Sequence, residues 1–222
     1  LGHLRVAGLR ALNLPGNLSF SFIPKAPHAQ ELAGVAHELG KDILLHIPME
    51  SEGGHFLGPA GLTKEMTRTE LTESVCASIW TIPHAQGLSN HMGSLLTRKK
   101  RSMRWLMEAM LECGEDLYFI DSQTTGKTVA AATAREYEIP TLERDIFLDH
   151  EPSTDFILAK LRQLVELAKR QGTALGIAHP YPETLNVLER VLPQLEDWGV
   201  TLVPVSILLA KRTKLLARRT NR

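Results

Sequence analysis

The sequence predicts an α/β protein whose parallel strands form a (β/α) barrel, and three observations predict it. Short apolar runs, too closely bounded to be helices, alternate along the chain with longer stretches of helical period. Five of these runs end in residues able to bind a metal, move a proton or hydrogen-bond a ligand: His46 with Glu50, Asn90 with His91, Asp121, Asp149 and His179. No stretch repeats at a fixed short period. The alternation implies right-handed βαβ units around a parallel sheet, either a closed or irregular barrel or a doubly wound open sheet, and a barrel suits seven successive units better.

The elements follow in order. Residues 1–12 have a helical pattern and end at the turn Pro15-Gly16-Asn17, after which Leu18 to Ile23 alternates apolar residues with Ser as a strand does. Pro27 opens a helix that stops at Gly40. The run Ile43 to Leu45 within Asp42–Ile47 is a buried strand that delivers His46 and Glu50. Ser51 to Gly61, with four glycines and Pro59, is long for a βα connection and forms either a lid over the site or a surface insertion. Thr67 and Glu70 have capping-box spacing for a helix to about Ile79. Gly87 to Asn90 is a short strand, and Lys99 to Cys113 is a helix with Met103, Leu106, Met107 and Met110 on its core face. Strands at Leu117–Ile120, Ile146–Leu148, Ala174–Ala178 and Val200–Val205 then alternate with helices at 128–137, 153–170 and 182–198. A short helix from about Ile207 leads into the C-terminal tail.

With 222 residues, 43% hydrophobic and 23% charged, the chain is large enough for one substantial core. One domain is expected over residues 1–210, with a basic tail at 211–222. The net charge of zero hides an asymmetry, since the tail holds six Lys/Arg and no acid, leaving 19 basic against 25 acidic residues before it. A body of that sign does not bind nucleic acid, and the tail reads as a frayed basic end in preference to a membrane or nucleic-acid contact. No run reaches the length of a membrane span, and no leader pattern precedes Leu1. Cys76 and Cys113, each inside a predicted helix, read as packed thiols in preference to a disulfide or a metal site. His28, His37, His55, His84 and His150 lack a partner at ligand spacing and read as surface residues. Arg144-Asp145 reads as a structural ion pair.

In a parallel α/β fold the strand exits share one rim, so residues scattered along the sequence converge there. Any one of them has an ordinary structural reading, because a histidine at a strand end is often only hydrogen-bonded and an aspartate often caps the next helix. Five on one rim favour a catalytic or metal site. Imidazole and carboxylate donors suit Zn²⁺ or a similar ion with a water in an open position, which is the chemistry of amide or ester hydrolysis. His179, held by Pro180-Tyr181-Pro182, is either a general acid or a turn histidine.

The runs APHAQELAGVAHELGKDILLHIPME, SNHMGS, DSQTT, RDIFLD, IAHPYPETL and LVPVS, in that order, resemble the divergent polysaccharide deacetylase family over residues 1 to about 209. The resemblance implies an irregular (β/α) barrel related to carbohydrate esterases, a periplasmic setting, and removal of acetyl groups from an amino-sugar polysaccharide such as a peptidoglycan-type glycan with a divalent metal, zinc first. It places His46 on the first metal ligand, with Glu50 where the family has a second histidine and His91 as a further ligand. It makes His179 the residue that assists catalysis; beside these, Asp121 is expected to shape the site as a catalytic residue, and Asn90, Ser94, Asp149 and Tyr181 to bind substrate. It also implies an apolar first strand ending in Asp-Asp just before Leu1-Gly2. A chain cut short there is the more economical expectation, since a complete chain of this kind is a poor catalyst lacking one strand. The rival expectation is a catalytically impaired envelope protein that uses the barrel to bind glycan or a protein partner. A phosphatase-like hydrolase is a third, weakened by the lack of a basic cradle at the strand exits.

Overall fold

The computed structural model describes the backbone of residues 1–220 and side chains to residue 215; residues 221–222 of the predicted tail lie outside it. The N-terminal helix α1 spans Arg5–Leu12, and the chain then alternates as β1 Ser19–Phe22, α2 Ala29–Glu38, β2 Asp42–Met49, α3 Arg68–Thr81, β3 Gly87–Met92, α4 Lys100–Cys113, β4 Tyr118–Asp121, α5 Ala130–Glu136 and β5 Thr141–Glu143. It continues with β6 Ile146–Phe147, α6 Thr154–Gln171, β7 Gly176–Ile177, α7 Pro182–Val191 and α8 Val205–Thr220.

Strands β1 to β5 form one parallel sheet in sequential order, and β6 and β7 form a separate parallel pair. Sequential order with right-handed crossovers puts all the connecting helices on one face of the sheet, as in a barrel and unlike a doubly wound sheet. Side-chain alternation agrees. Phe20, Phe22, Ile43, Leu45, Ile47, Leu88 and Phe119 join the large core under the helices, whereas Leu44, Tyr118, Ile120, Leu142 and Leu175 form a smaller inner cluster with Leu208. The ring of strands is not closed by hydrogen bonding, so the barrel is irregular.

Local signals account for most boundaries. Thr67 and Glu70 make the complete capping box of α3, Ser153 caps α6, and α6 ends at Gly172 in a left-handed conformation. Two predictions fail. Strand β5 is absent from the sequence reading, and Val200–Val205 is not a strand: its side chains pack against the cores while its backbone pairs with no ladder. This segment feeds α8, whose first amides are held from below the barrel. Asp42 Oδ2 accepts from Ser206 N at 2.9 Å and Ser19 Oγ accepts from Val205 N at 2.8 Å, so two strand residues cap a helix distant in sequence. Residues 211–220 continue that helix.

The cysteine expectation is also corrected. Cys76 of α3 and Cys113 of α4 form a disulfide, with Cα atoms 5.3 Å apart. The two helices pack side by side, which brings thiols 37 residues apart within bonding range; neither helix alone reveals it.

Candidate active site

His46 projects from β2 to the inner face, where its Nδ1 meets Ser89 Oγ at 2.7 Å, and Ser89 in turn meets Ser21 Oγ at 3.1 Å. That hydroxyl chain from β1 through β3 fixes the ring through Nδ1. His91, two residues beyond Ser89 on the same strand, has its ring centroid 5.0 Å from that of His46. Burial holds the His46 imidazole well below its ordinary pKa, and the neighbouring charges of His91 and His179 add to the effect. His91 is lowered to about 4, by burial first and then by the neighbouring charges, His179 and His3 among them. Both rings are therefore neutral near pH 7, the form in which imidazole binds metals. His46 and His91 are thus ring neighbours at the β2 and β3 exits, and His179 at the β7 exit is close enough for its charge to be felt at both.

His179 is oriented by Asp149. The Asp149 carboxylate accepts from the His179 backbone N–H at 2.6 Å and from Thr184 Oγ1 at 2.8 Å, and its other oxygen lies 3.1 Å from His179 Nδ1. Its side chain is fully buried while His179 is one-third exposed, so the pair has a fixed back and a wet front. A carboxylate at Nδ1 selects the tautomer and supports a proton on the ring, which suits a general acid or base. Asp149 therefore acts behind His179 and does not line a substrate surface as expected. Tyr181, exposed, stands beside His179 with ring centroids 5.1 Å apart, and is the expected substrate-binding residue best placed to touch a sugar.

Other expected residues have different work. Asp121 is completely buried on the helix side of β4, where its carboxylate accepts from Gln123 N, Thr128 Oγ1 and Ala131 N at 2.9, 2.8 and 3.3 Å. It braces the loop into α5, the capping role open to it from the start, and burial raises its pKa. Asn90 is likewise on the helix side, fully buried, donating to Met92 O at 2.7 Å and accepting from Ser122 N at 2.8 Å. Ser94 Oγ accepts from Glu52 N at 3.0 Å, tying the glycine-rich loop to the β3 exit. Glu50 accepts from Lys64 N at 2.7 Å, while its own backbone carbonyl accepts from the amides of Leu95 and Leu96. That carboxylate holds the loop's far end, and among the described residues no group of three or more metal-binding side chains assembles.

Leu1 lies at the open side of β1. Its backbone N–H donates to Ser21 O, and Ile23 N–H donates to Leu1 O at 2.9 Å, the alternation of a parallel ladder. The missed contributors, Ser21 and Ser89, occupy inner positions of strands whose outer positions are Phe20, Phe22 and Leu88. A serine alternating with large apolar residues was the available signal.

The sequence profile of the divergent polysaccharide deacetylases matches residues 1–209. This chain belongs to that family. The deacetylase-family chain is 33% identical over 200 residues to the uncharacterized protein YibQ of Escherichia coli, a match that covers 90% of this chain and 62% of the relative. It is also 33% identical over 184 residues to an uncharacterized protein of Haemophilus influenzae, covering 83% of this chain and 65% of the relative. The chain thus spans less than two thirds of either relative's length. Among solved structures it is similar to the uncharacterized protein ATU2773 of Agrobacterium tumefaciens, with TM-score 0.88 and 25% identity over 94% of this chain and 85% of that one. The fold is shared with a lactam utilization protein of Thermus thermophilus at TM-score 0.62 and 14% identity, covering 88% and 91% of the two chains.

Proposed function

We propose that this family member is a metal-dependent hydrolase that removes acetyl groups from an amino-sugar polysaccharide of the cell envelope. The observation that carries the reading is the Asp149–His179 pair, with His179 close enough to His46 and His91 for its charge to be felt at both. His46, through Nε2, and His91 would hold a zinc-like ion, and two neutral imidazoles are a suitable part of its donor set. The described residues supply no third ligand. When bound, such an ion activates water and polarises the acetyl carbonyl. His179, with Asp149 behind it, holds the proton that the departing sugar nitrogen needs. Tyr181 gives the sugar an exposed ring to rest on.

The Cys76–Cys113 disulfide supports an oxidising compartment and hence the periplasm. Among the described residues no helix is long and apolar enough to cross a membrane. The second reading, a glycan-binding protein without catalysis, is favoured by the commitment of Glu50 to the Lys64 amide. Acetate release from an N-acetylated oligosaccharide by the full-length protein, with and without added zinc, separates the two. Metal-dependent acetate supports the hydrolase; intact glycan binding with no acetate and no bound ion supports the module.

A further inference from the structure

Beside the His179 mouth a cavity of about 490 Å³ opens between the β4 exit, β6 and α6, lined by Ser122, Gln123, Arg144, Phe147, His150 and Lys160 among others. Its size is that of a small-ligand pocket. Its charge is unbalanced. Asp145 is the acid in its lining, and Asp145 is already paired with Arg212 and accepts from Leu175 N at 2.6 Å. Arg144 gives Nε to Ser122 O at 2.6 Å and Nη2 to Gln123 O at 2.7 Å, and its guanidinium lies 5.0 Å over the Phe147 ring. Both oxygens are neutral carbonyls, and among the described residues no carboxylate lies within ion-pair distance of Arg144; the Asp121 and Asp145 charges favour its cation from farther off, and its Nη1 edge makes no hydrogen bond to a described residue. Lys160 reaches the same space from α6, where its Nζ contacts only the neutral Gln163 Oε1, at 3.2 Å, and the Phe156 ring, at 5.4 Å. Partial burial disfavours the Arg144 cation, which a rigid cradle nevertheless holds in place.

Phe147 connects this cavity to the chemistry. The ring that carries Arg144 on its face meets His179 edge-on, with centroids 5.3 Å apart. A glycan that presents one residue to His179 therefore has its neighbour at the Arg144 side of Phe147.

We propose that the cavity is a subsite for an anionic sugar, whose carboxylate or phosphate substituent sits between Arg144 Nη1 and Lys160 Nζ, with Gln163 and His150 as polar partners for the ring. The assignment rests on the reading of the His179 mouth as the place where an acetylated sugar reacts, and it narrows the substrate to an acidic glycan. A neutral oligosaccharide leaves the Nη1 edge without a charged partner.

Calorimetry on the full-length protein tests this with three oligosaccharides of equal length: a neutral chitooligosaccharide, one whose alternate residues carry lactyl-ether carboxylates, and one carrying sugar phosphates. An acidic probe is expected to bind about tenfold tighter than the neutral one, as one charge-assisted hydrogen bond provides. Its advantage shrinks in high salt and is lost in Lys160→Ala. Arg144→Gln removes the preference too, and Lys160→Ala guards against a disturbed loop in that variant, since Lys160 bonds only within its own helix. The stronger of the two acidic arms identifies the substituent. Equal binding of all three probes, or an acidic preference that survives Lys160→Ala, overturns the subsite. Acetate release from each of the three probes is measured alongside. Acidic preference without acetate keeps the subsite and removes the hydrolase, whereas acetate without acidic preference does the reverse.

Discussion

Asp149 grips His179 at two points, the backbone amide at 2.6 Å and ring Nδ1 at 3.1 Å, from a position with no solvent contact. The amide bond fixes where the residue sits and the ring bond fixes how the imidazole turns. Asp149→Asn retains the shape and the Thr184 contact but withdraws the negative charge that supports a protonated ring. Acetate release is expected to fall by about one to three orders of magnitude, within the range for a general acid. His179→Ala, whose melting temperature should stay near that of the parent, is expected to lose about as much. A His179→Ala enzyme with unchanged rate would remove His179 from the reaction, and an unchanged Asp149→Asn enzyme would remove Asp149 from its support.

The bond between Cys76 and Cys113 crosses α3 and α4 and closes a loop of 37 residues. Chain entropy puts its contribution at roughly 3 to 4 kcal/mol. Urea unfolding with and without a reductant measures it, and the double Cys→Ala variant should show the lowered midpoint in both conditions. The α3–α4 pair lies outside the His46–His91–His179 mouth, so glycan binding at low denaturant is expected to persist. A midpoint indifferent to reductant would mean that the thiols are not bonded in solution.

The strands were legible where both faces are buried. Ile43–Leu45 is continuous in apolar residues because Leu44 faces the inner cluster while Ile43 and Leu45 face the helices. The same property hides which face a polar end residue takes. His46 shares the inner side with Leu44, but Asp121 follows Ile120 and so shares the helix side with Phe119. The strand exits therefore carry His46 and His91 on the inner side of the sheet, whereas Asp121 and Asn90, drawn to the same rim by sequence position, turn to the helix side. Thr141–Glu143 is three residues with only Leu142 buried, too short for any periodic signal. Val200–Val205 shows the converse, since apolar content there reports burial without hydrogen-bonded pairing.

Neutral, half-buried histidines make metal-free protein acid-sensitive. His91 has its pKa lowered from 6.5 to about 4, and burial also holds His46 well below its ordinary value, so in the unfolded chain both bind protons at higher pH than in the folded one. Stability is then full above about pH 6.5 and falls as the pH drops toward 4, where the His91 contribution is lost. For the partly exposed His91 the loss is on the order of 1–3 kcal/mol. Asp121, raised by burial, opposes the fall at the acid end. Urea midpoints of chelator-treated protein from pH 7.5 to 4 should show this slope, and His91→Asn should flatten it. Equal slopes in parent and variant would count against a half-buried neutral His91.

Tyr118 offers a test of the inner packing. Its hydroxyl is buried with no hydrogen-bond partner, and burial, followed by the nearby Asp42 charge, pushes its pKa upward. An unsatisfied buried hydroxyl costs about 1–3 kcal/mol, and removing it leaves the ring's apolar contacts intact. Tyr118→Phe is therefore expected to be neutral or stabilising by up to about that amount. Gly87 shows why the ring itself must remain, because a Cβ there would come within 2.5 Å of the Tyr118 ring. Overpacking of that kind costs about 1–3 kcal/mol, so Gly87→Ala should destabilise the parent. The two substitutions share the ring and should not be additive if the ring shifts to relieve the clash. Thermal unfolding of both single variants and the double variant decides it. A clear loss of stability in Tyr118→Phe would show that the hydroxyl has a partner, such as a buried water bridging to Asp42.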